Sequence, residues 1–270
     1  MSNLLDLIKG RKSVRSFDGN GISAENLEKL KEFSLGISNP FGITVQFIFL
    51  DALEHGLSSP VISGEKIYVC GTVKKQKYAD VAFGYSFEKL VLYAWSLGIG
   101  TTWIGGTMNR ETFEKAARLR EDEMMPCVSP LGYPSSKKSI KETLMRKGIR
   151  ADSRKTAEEL FFEKSFETPL DLEKKKEIDN IMEMVRLAPS AVNKQPWRIV
   201  LSDDTFHFFE KKDKGYINEA TGDLQKIDVG IALCHFIMGA EEAGMQPEVI
   251  VADPGTSRPE EVEYIASVKF

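Results

Sequence analysis

Three stretches of the chain carry polar or flexible residues at spacings suited to holding a ligand. The first is Arg11-Lys12-Ser13-Val14-Arg15-Ser16-Phe17, placed after a short apolar helix over 4–8 that Gly10 breaks. Its cations and hydroxyls suit a dianion such as a phosphate, because arginine supplies forked charged donors and serine a neutral one. The second is Ala188-Pro189-Ser190-Ala191-Val192-Asn193-Lys194-Gln195-Pro196-Trp197. Two prolines fix its backbone, while Ser190, Asn193 and Gln195 offer donors and acceptors. The third is Gly98-Ile99-Gly100-Thr101-Thr102-Trp103-Ile104-Gly105-Gly106. A dinucleotide-binding reading of its Gly-x-Gly fails on context, since that motif follows a strand and opens a helix. Here the helix comes first, and Gly105 and Gly106 instead allow backbone to approach a flat ligand closely.

The elements that must position these stretches occur twice. Phe83, Phe87, Leu90, Val91 and Ala94 recur as Val229, Leu233, Phe236, Ile237 and Ala240 with the same spacing, the stripe of a buried helix face. Gly98 and Gly244 follow the two helices in the position of a C-cap. An earlier amphipathic helix in each half uses Leu27, Leu30 and Phe33, with Ser23 as its N-cap, and Ile178, Ile181, Met182 and Val185. Strand-like runs follow over 45–51 and 197–203, then 66–70 and 206–209, and each half closes on another, 127–131 and 264–270. The order helix, strand, strand, long helix, strand, strand thus appears twice. Residues 1–136 and 156–270 are expected to form two similar halves, joined by a Lys- and Arg-rich connection over 137–155.

Composition narrows the class. The chain has 270 residues, enough to bury a core without disulfides. Lys plus Arg number 36 against 40 Asp plus Glu, and this balance argues against a nucleic-acid binder. Cys70, Cys127 and Cys234 are far apart and predict buried apolar residues in a reducing compartment. His55, His207 and His235 fall in no metal-ligand spacing, so no metal site is expected. Neither a signal peptide nor a membrane span is read from the sequence, and a cytoplasmic protein is the expectation.

Taken together, the three stretches resemble the FMN-dependent nitroreductase family. The first matches its Arg-x-Ser-x-Arg opening, the second its Pro-Ser-x-x-Asn-x-Gln-Pro-Trp element and the third its Gly-x-Gly-x-x-Trp-Ile-Gly-Gly segment. Leu131-Gly132-Tyr133-Pro134 matches the strand end that follows. The chain is most similar to the branch in which two such halves are fused. This resemblance implies an α+β fold of two halves, each a mainly antiparallel sheet flanked by helices, wrapped as a pseudo-dimer within one chain and therefore monomeric. It implies that Arg11, Lys12 and Ser13 hold the FMN phosphate, with Arg15 near the flavin N1 and C2 carbonyl as the catalytic cation. Backbone at Ile104, Gly105 and Gly106 would face the flavin near N5, and Pro189, Ser190 and Asn193 would close the site from the other half. Arg154, with Glu158-Glu159-Leu160 after it, matches a basic residue that reaches the phosphate, although Asp152 stands where the family has lysine.

Sliding one half on the other sets Pro189, Ser190, Asn193 and Gln195 on Ile37, Ser38, Phe41 and Ile43. It sets Arg11, Lys12, Ser13 and Arg15 on Leu160, Phe161, Phe162 and Lys164. Each half thus keeps one component, and one FMN site per chain is expected beside a second filled by apolar side chains. The implied activity is hydride transfer from NADH or NADPH to a nitroaromatic or quinone-like acceptor. No dedicated general acid or nucleophile is apparent. A non-catalytic FMN-binding or redox-sensing protein is the alternative, and flavin breakdown or reductive dehalogenation is a third reading. Residues 51–80 are the least assigned region.

Overall fold

A computed structural model describes residues 3–136, 148 and 153–270. Along the chain run α1 (Leu4–Gly10), α2 (Ala24–Leu35), β1 (Val45–Asp51), β2 (Ile67–Lys74), α3 (Ala79–Ser96), α4 (Arg110–Ala117), β3 (Glu123–Met124) and β4 (Val128–Leu131). Then come α5 (Ala157–Leu160), β5 (Phe161–Glu163), α6 (Lys176–Arg186), β6 (Trp197–Ser202), β7 (Thr205–Lys211), β8 (Ile217–Asn218), β9 (Gly222–Asp223), α7 (Leu224–Glu242), β10 (Glu248–Ile250) and β11 (Val262–Lys269). Most of the expected connection over 137–155, Asp152 included, lies outside the described residues.

Local chemistry sets the element ends. Ser23 accepts from the Asn26 N–H at the start of α2, and Asp223 accepts from the Gln225 and Lys226 N–H groups at the start of α7. Gly98 and Gly244 follow α3 and α7 with φ of 76° and 80°, the left-handed conformation that ends helices at glycine. β6 stops at Ser202 rather than 203, because Asp203 and Asp204 both take positive φ in the two-residue turn to β7.

The α+β expectation holds. In one sheet β1 pairs β2, which pairs both β3 and β4, all antiparallel. In the other the order is β10-β11-β7-β6-β5, antiparallel except for β5 beside β6. The strand path of the first sheet, β1 to β2 to β4, is repeated in the second as β6 to β7 to β11.

Between the sheets, α3 and α7 cross at very short range. Both are buried on nearly every face, not along one stripe. A methyl group on Gly84 would overlap the Ile227 carbonyl, and one on Gly230 would overlap the Val81 carbonyl. Gly84 and Gly230 are 146 residues apart, and so are Val81 and Ile227. The two contacts are therefore exchanged by one shift along the sequence, as in an isologous interface.

One expectation needs correction. Ser13 bridges to Thr101 and Phe17 to Pro134, so the 11–17 stretch lies beside the segment that follows α3. Phe161–Glu163 instead runs parallel to β6, at the sheet edge opposite β10, the strand that follows α7. Leu160, Phe161, Phe162 and Lys164 are thus not counterparts of Arg11, Lys12, Ser13 and Arg15. Burial of Leu160 and Phe161 against the second sheet governs their position.

Candidate active site

The 11–17 stretch is extended, so side chains alternate between two faces. Val14 packs against Gly100, where its side chain leaves no room for a Cβ. Lys12 shares the parity of buried Val14 but is itself exposed, whereas Arg11, Ser13 and Arg15 share the other parity and are partly buried. Ser63 N–H donates to the Arg15 carbonyl at 3.0 Å, and Val14 N–H to the Thr101 carbonyl at 2.8 Å. These bonds fix the backbone from which the arginines project. The bridge of Ser16 to Ser63 places part of the unassigned 51–80 region against this stretch.

The Arg11 guanidinium reaches inward. Its Nε lies 3.9 Å from Oε1 of Glu88, a fully buried carboxylate on α3. Glu88 also meets His235 Nε2 of α7 at 3.0 Å and accepts from Trp103 Nε1 at 3.3 Å. His235 Nδ1 in turn lies 2.8 Å from the Met184 carbonyl, in the last turn of α6.

Arg154 comes to the same helix end. Its Nη2 donates to the Leu187 carbonyl at 3.3 Å and its Nη1 to Asn193 Oδ1 at 3.5 Å. A helix C-terminus presents unsatisfied carbonyls and negative partial charge, which favours cations there. Arg154, Asn193, Val192, Gln195 and Ser153 line a cavity of about 680 Å³.

The 190–193 turn is backbone under tension. Val192, Asn193 and Gln195 have φ of 48°, 58° and 51°, a region that costs a β-branched residue on the order of 1–3 kcal/mol. Four bonds hold it there. Ser190 Oγ accepts from Gln195 N–H at 2.9 Å, and Asn193 N–H donates to the Ser190 carbonyl at 3.0 Å. Gln195 Oε1 accepts from Lys155 N–H at 2.8 Å, while both carboxyl oxygens of Asp228 lie 3.0 Å from Ala191 N–H. Burial pushes the Asp228 carboxyl well above the usual aspartate range; the Ala191 bond opposes the shift, and nearby Asp223 and Glu210 add to it. Val192 is left 56% exposed, an apolar side chain presented at the surface by a strained turn.

The third stretch closes the arrangement. Ile104 bridges to Val128, and Arg110 clamps the next residues by donating to the carbonyls of Gly105 and Met125, both at 2.7 Å. Neither Gly105 nor Gly106 has a positive φ, so turn geometry does not demand glycine. A Cβ on Gly106 would meet no described atom within 4 Å, whereas one on Gly105 would lie 3.5 Å from the Pro126 carbonyl oxygen and 3.8 Å from Leu224. The open space above the Gly106 backbone is what a closely approaching planar ligand needs.

Leu224, Asp228 and His235 belong to one helix, at spacings that put them on one face of α7. That face comes near Gly105, anchors the 190–193 turn and meets Glu88 beside Arg11, over about 16 Å of helix axis. It brings together stretches read separately in the sequence. Sequence reasoning missed Glu88, Asp228 and His235. Their signal was a charged or imidazole residue inside a helix otherwise apolar all round, where a buried polar group needs a partner. Among the described residues no group of side chains is arranged to hold a metal ion, and no helix is long and apolar enough to cross a membrane. The three cysteines are buried and unpaired with one another.

This arrangement of two sheets around crossed helices is a nitroreductase fold. The structure resembles that of a putative nitroreductase from Thermotoga maritima, with a TM-score of 0.64 and 22% identity, over 98% of this chain and 93% of that one. An FMN-dependent nitroreductase from Clostridium difficile matches 49% of this chain and 88% of its own, at TM-score 0.43 and 17% identity. A nitroreductase family protein from Clostridium novyi matches 52% and 90%, at TM-score 0.43 and 19% identity. No curated protein matches the chain. Residues 3–240 match the family model described as "Putative TM nitroreductase", and the chain belongs to that family of nitroreductase-like oxidoreductases.

Proposed function

We propose that this chain is an FMN-dependent oxidoreductase of nitroreductase type, with one flavin site per chain, taking hydride from NADH or NADPH and passing it to a nitroaromatic or quinone-like acceptor. The observation that carries this reading is that Arg154 meets the strained 190–193 turn at the end of α6, and that His235, on the α7 face that anchors this turn, links the same helix end through Glu88 to Arg11. The donor set fits the cofactor. A phosphate dianion leaving water needs several charge-assisted donors, and Arg11, Ser13 and Arg154 supply them, with Lys12 at the exposed edge. Pro189, Ser190 and Asn193 form one wall, and the backbone of Ile104, Gly105 and Gly106 the other. FMN bound there supplies two-electron hydride chemistry. Arg15, on the face of Arg11 and Ser13, contributes the cation that favours the more negatively charged, reduced cofactor.

The reciprocal contacts of Gly84 and Gly230, and the repeated strand path, support two duplicated halves paired within one chain. Pairing inside the chain buries the interface that separate subunits would share, so the protein is a monomer in this reading. Apolar packing supports a single site. Ile37, Phe41 and Ile43, at the positions of Pro189, Asn193 and Gln195, pack on the core, and Phe41 stacks on Tyr78 with ring centroids 5.5 Å apart.

The test is the flavin itself. The purified protein should be yellow, with about one FMN per chain. NADH or NADPH should bleach it without oxygen, and a nitroaromatic or quinone should restore the colour. A ratio near two overturns the single site, and a colourless protein that ignores added FMN overturns the whole reading. Bound FMN that no nicotinamide reduces would leave a binding protein, not an oxidoreductase.

A further inference from the structure

The crossing of α3 and α7 contains a polar cluster that cofactor binding as described does not require. Glu88 and His235 are both fully buried, 3.0 Å apart, and come from opposite halves. We propose that Glu88, held by His235, is a positioning residue that sets the Arg11 guanidinium toward the cofactor phosphate while leaving its positive charge effective. This rests on the FMN reading above.

Counting protons fixes the charge of the pair. His235 Nδ1 faces the Met184 carbonyl, which only accepts, so Nδ1 carries a hydrogen. The Nε2–Oε1 contact then holds one more proton, on the imidazole or on the carboxyl. In either case Glu88 and His235 together are neutral. Glu88 Oε1 also faces Arg11 Nε at 3.9 Å, and Oε2 accepts from Trp103. Arg11 is thus oriented by a carboxyl group whose charge His235 offsets. A carboxylate without the imidazole would orient Arg11 equally well and cancel the charge that attracts phosphate.

A plain tie between helices would explain the burial but not the asymmetry. By the 146-residue shift that exchanges Gly84 and Gly230, Glu88 corresponds to Cys234 and His235 to Lys89. There the crossing packs without a carboxyl–imidazole pair: Cys234 is fully buried, and the Lys89 ammonium lies over the Tyr85 ring, 5.4 Å from its centroid. The helices therefore cross closely without such a pair at the related position. The pair occurs where Arg11 comes in.

Glu88→Gln is a discriminating substitution. With its amide nitrogen toward His235 and its oxygen toward Trp103, glutamine keeps both of those bonds. It then turns a donor toward the Arg11 Nε–H, and only the arginine contact is lost. Dissociation constants for FMN and for riboflavin, which lacks the phosphate, are measured on the full chain freed of flavin. In the wild type FMN should bind far more tightly than riboflavin. In Glu88→Gln the FMN affinity should fall about tenfold with riboflavin unchanged, and in an Arg11→Ala background the same substitution should have no further effect. If Glu88→Gln does not fold, His235→Asn, which removes Nε2 and leaves the carboxylate uncompensated, should lower the FMN preference in the same direction. Equal weakening of both flavins, or an unchanged preference, overturns the proposal and leaves the flavin site standing. A wild type that binds neither flavin overturns the function proposed above as well, and is recognised by that pattern.

Discussion

Asp228 offers a test of how the site turn is anchored. Its carboxyl is buried on α7 with both oxygens 3.0 Å from Ala191 N–H, and burial raises its proton affinity well beyond that of an ordinary aspartate. The sign follows from linkage. The folded chain keeps this proton where the unfolded chain has already lost it, so the contribution to stability is complete below about pH 4. It is lost as pH rises toward the folded-state value, at ~1.4 kcal/mol per pH unit. Asparagine at 228 cannot ionise and is spared that loss. At roughly 2.1 cal/mol/K per residue, a chain of 270 residues has an unfolding entropy of about 0.57 kcal/mol/K. The Tm of Asp228→Asn should therefore gain about 2.4 °C on the wild type for each pH unit inside the window. Its amide oxygen still accepts from Ala191, so FMN affinity should change little. Asp228→Ala removes the acceptor, and an unsatisfied N–H costs ~1–3 kcal/mol, or about 5- to 150-fold in FMN affinity if the turn is part of the site. The assays are thermal melts from pH 5 to pH 8 at fixed ionic strength and FMN titrations of both variants. Parallel Tm curves for wild type and Asp228→Asn, or equal loss of flavin by Asn and Ala, would refute the reasoning.

Other outcomes follow from the same geometry. Gly84→Ala and Gly230→Ala should each destabilise the fold by ~1–3 kcal/mol or more, because the new methyl meets a backbone carbonyl that cannot swing away; a wild-type Tm for either would contradict the close crossing. Burial first, then Asp223, pushes Glu210 up to about 8, and among the described residues its Oε2 has no partner. Glu210→Gln should therefore gain stability relative to the wild type as pH rises from 5 to 8, by at most ~4 kcal/mol, readable in denaturant midpoints. Arg15→Ala should lower the flavin midpoint potential by ~20–60 mV, the equivalent of ~1–3 kcal/mol over two electrons, and an unchanged potential would remove Arg15 from that role.

Much of this arrangement was legible because it is local. Apolar spacing marked α2, α3, α6 and α7, Ser23 was read as a cap, and the strand over 45–51 was read to its ends. Other features depend on partners distant in sequence. β5 is three residues long, and nothing in Phe161-Phe162-Glu163 says that it pairs parallel to Ile199–Leu201. Sliding the halves therefore placed it on the wrong sheet edge. α4 was overlooked because its apolar content is small, essentially Phe113 and Ala117, and Asn109 caps a helix whose other faces are polar. The site shows the same division. Its three stretches announce themselves through residue types at short spacing, whereas Glu88, Asp228 and His235 acquire meaning only when α3 and α7 cross.

That division has a physical reason. A ligand-holding stretch works through side chains and backbone directed at something outside the chain, so its residue types are unusual for their local context. An anchoring residue works through one buried partner, and a buried helix position accepts a polar side chain only if the fold brings that partner to it. In this chain three partners lie on one face of α7: Leu224 against Gly105, Asp228 under Ala191, and His235 against Glu88. The same set of anchors is not repeated at α3, where the 146-residue shift puts Tyr78 in place of Leu224, Ala82 in place of Asp228 and Lys89 in place of His235. Under the proposed duplication, a helix pair that kept its two-fold relation would hold the anchors twice or not at all. In the two-half reading proposed above, differences at these few positions let one crossing support a single polar site on one side and apolar packing on the other.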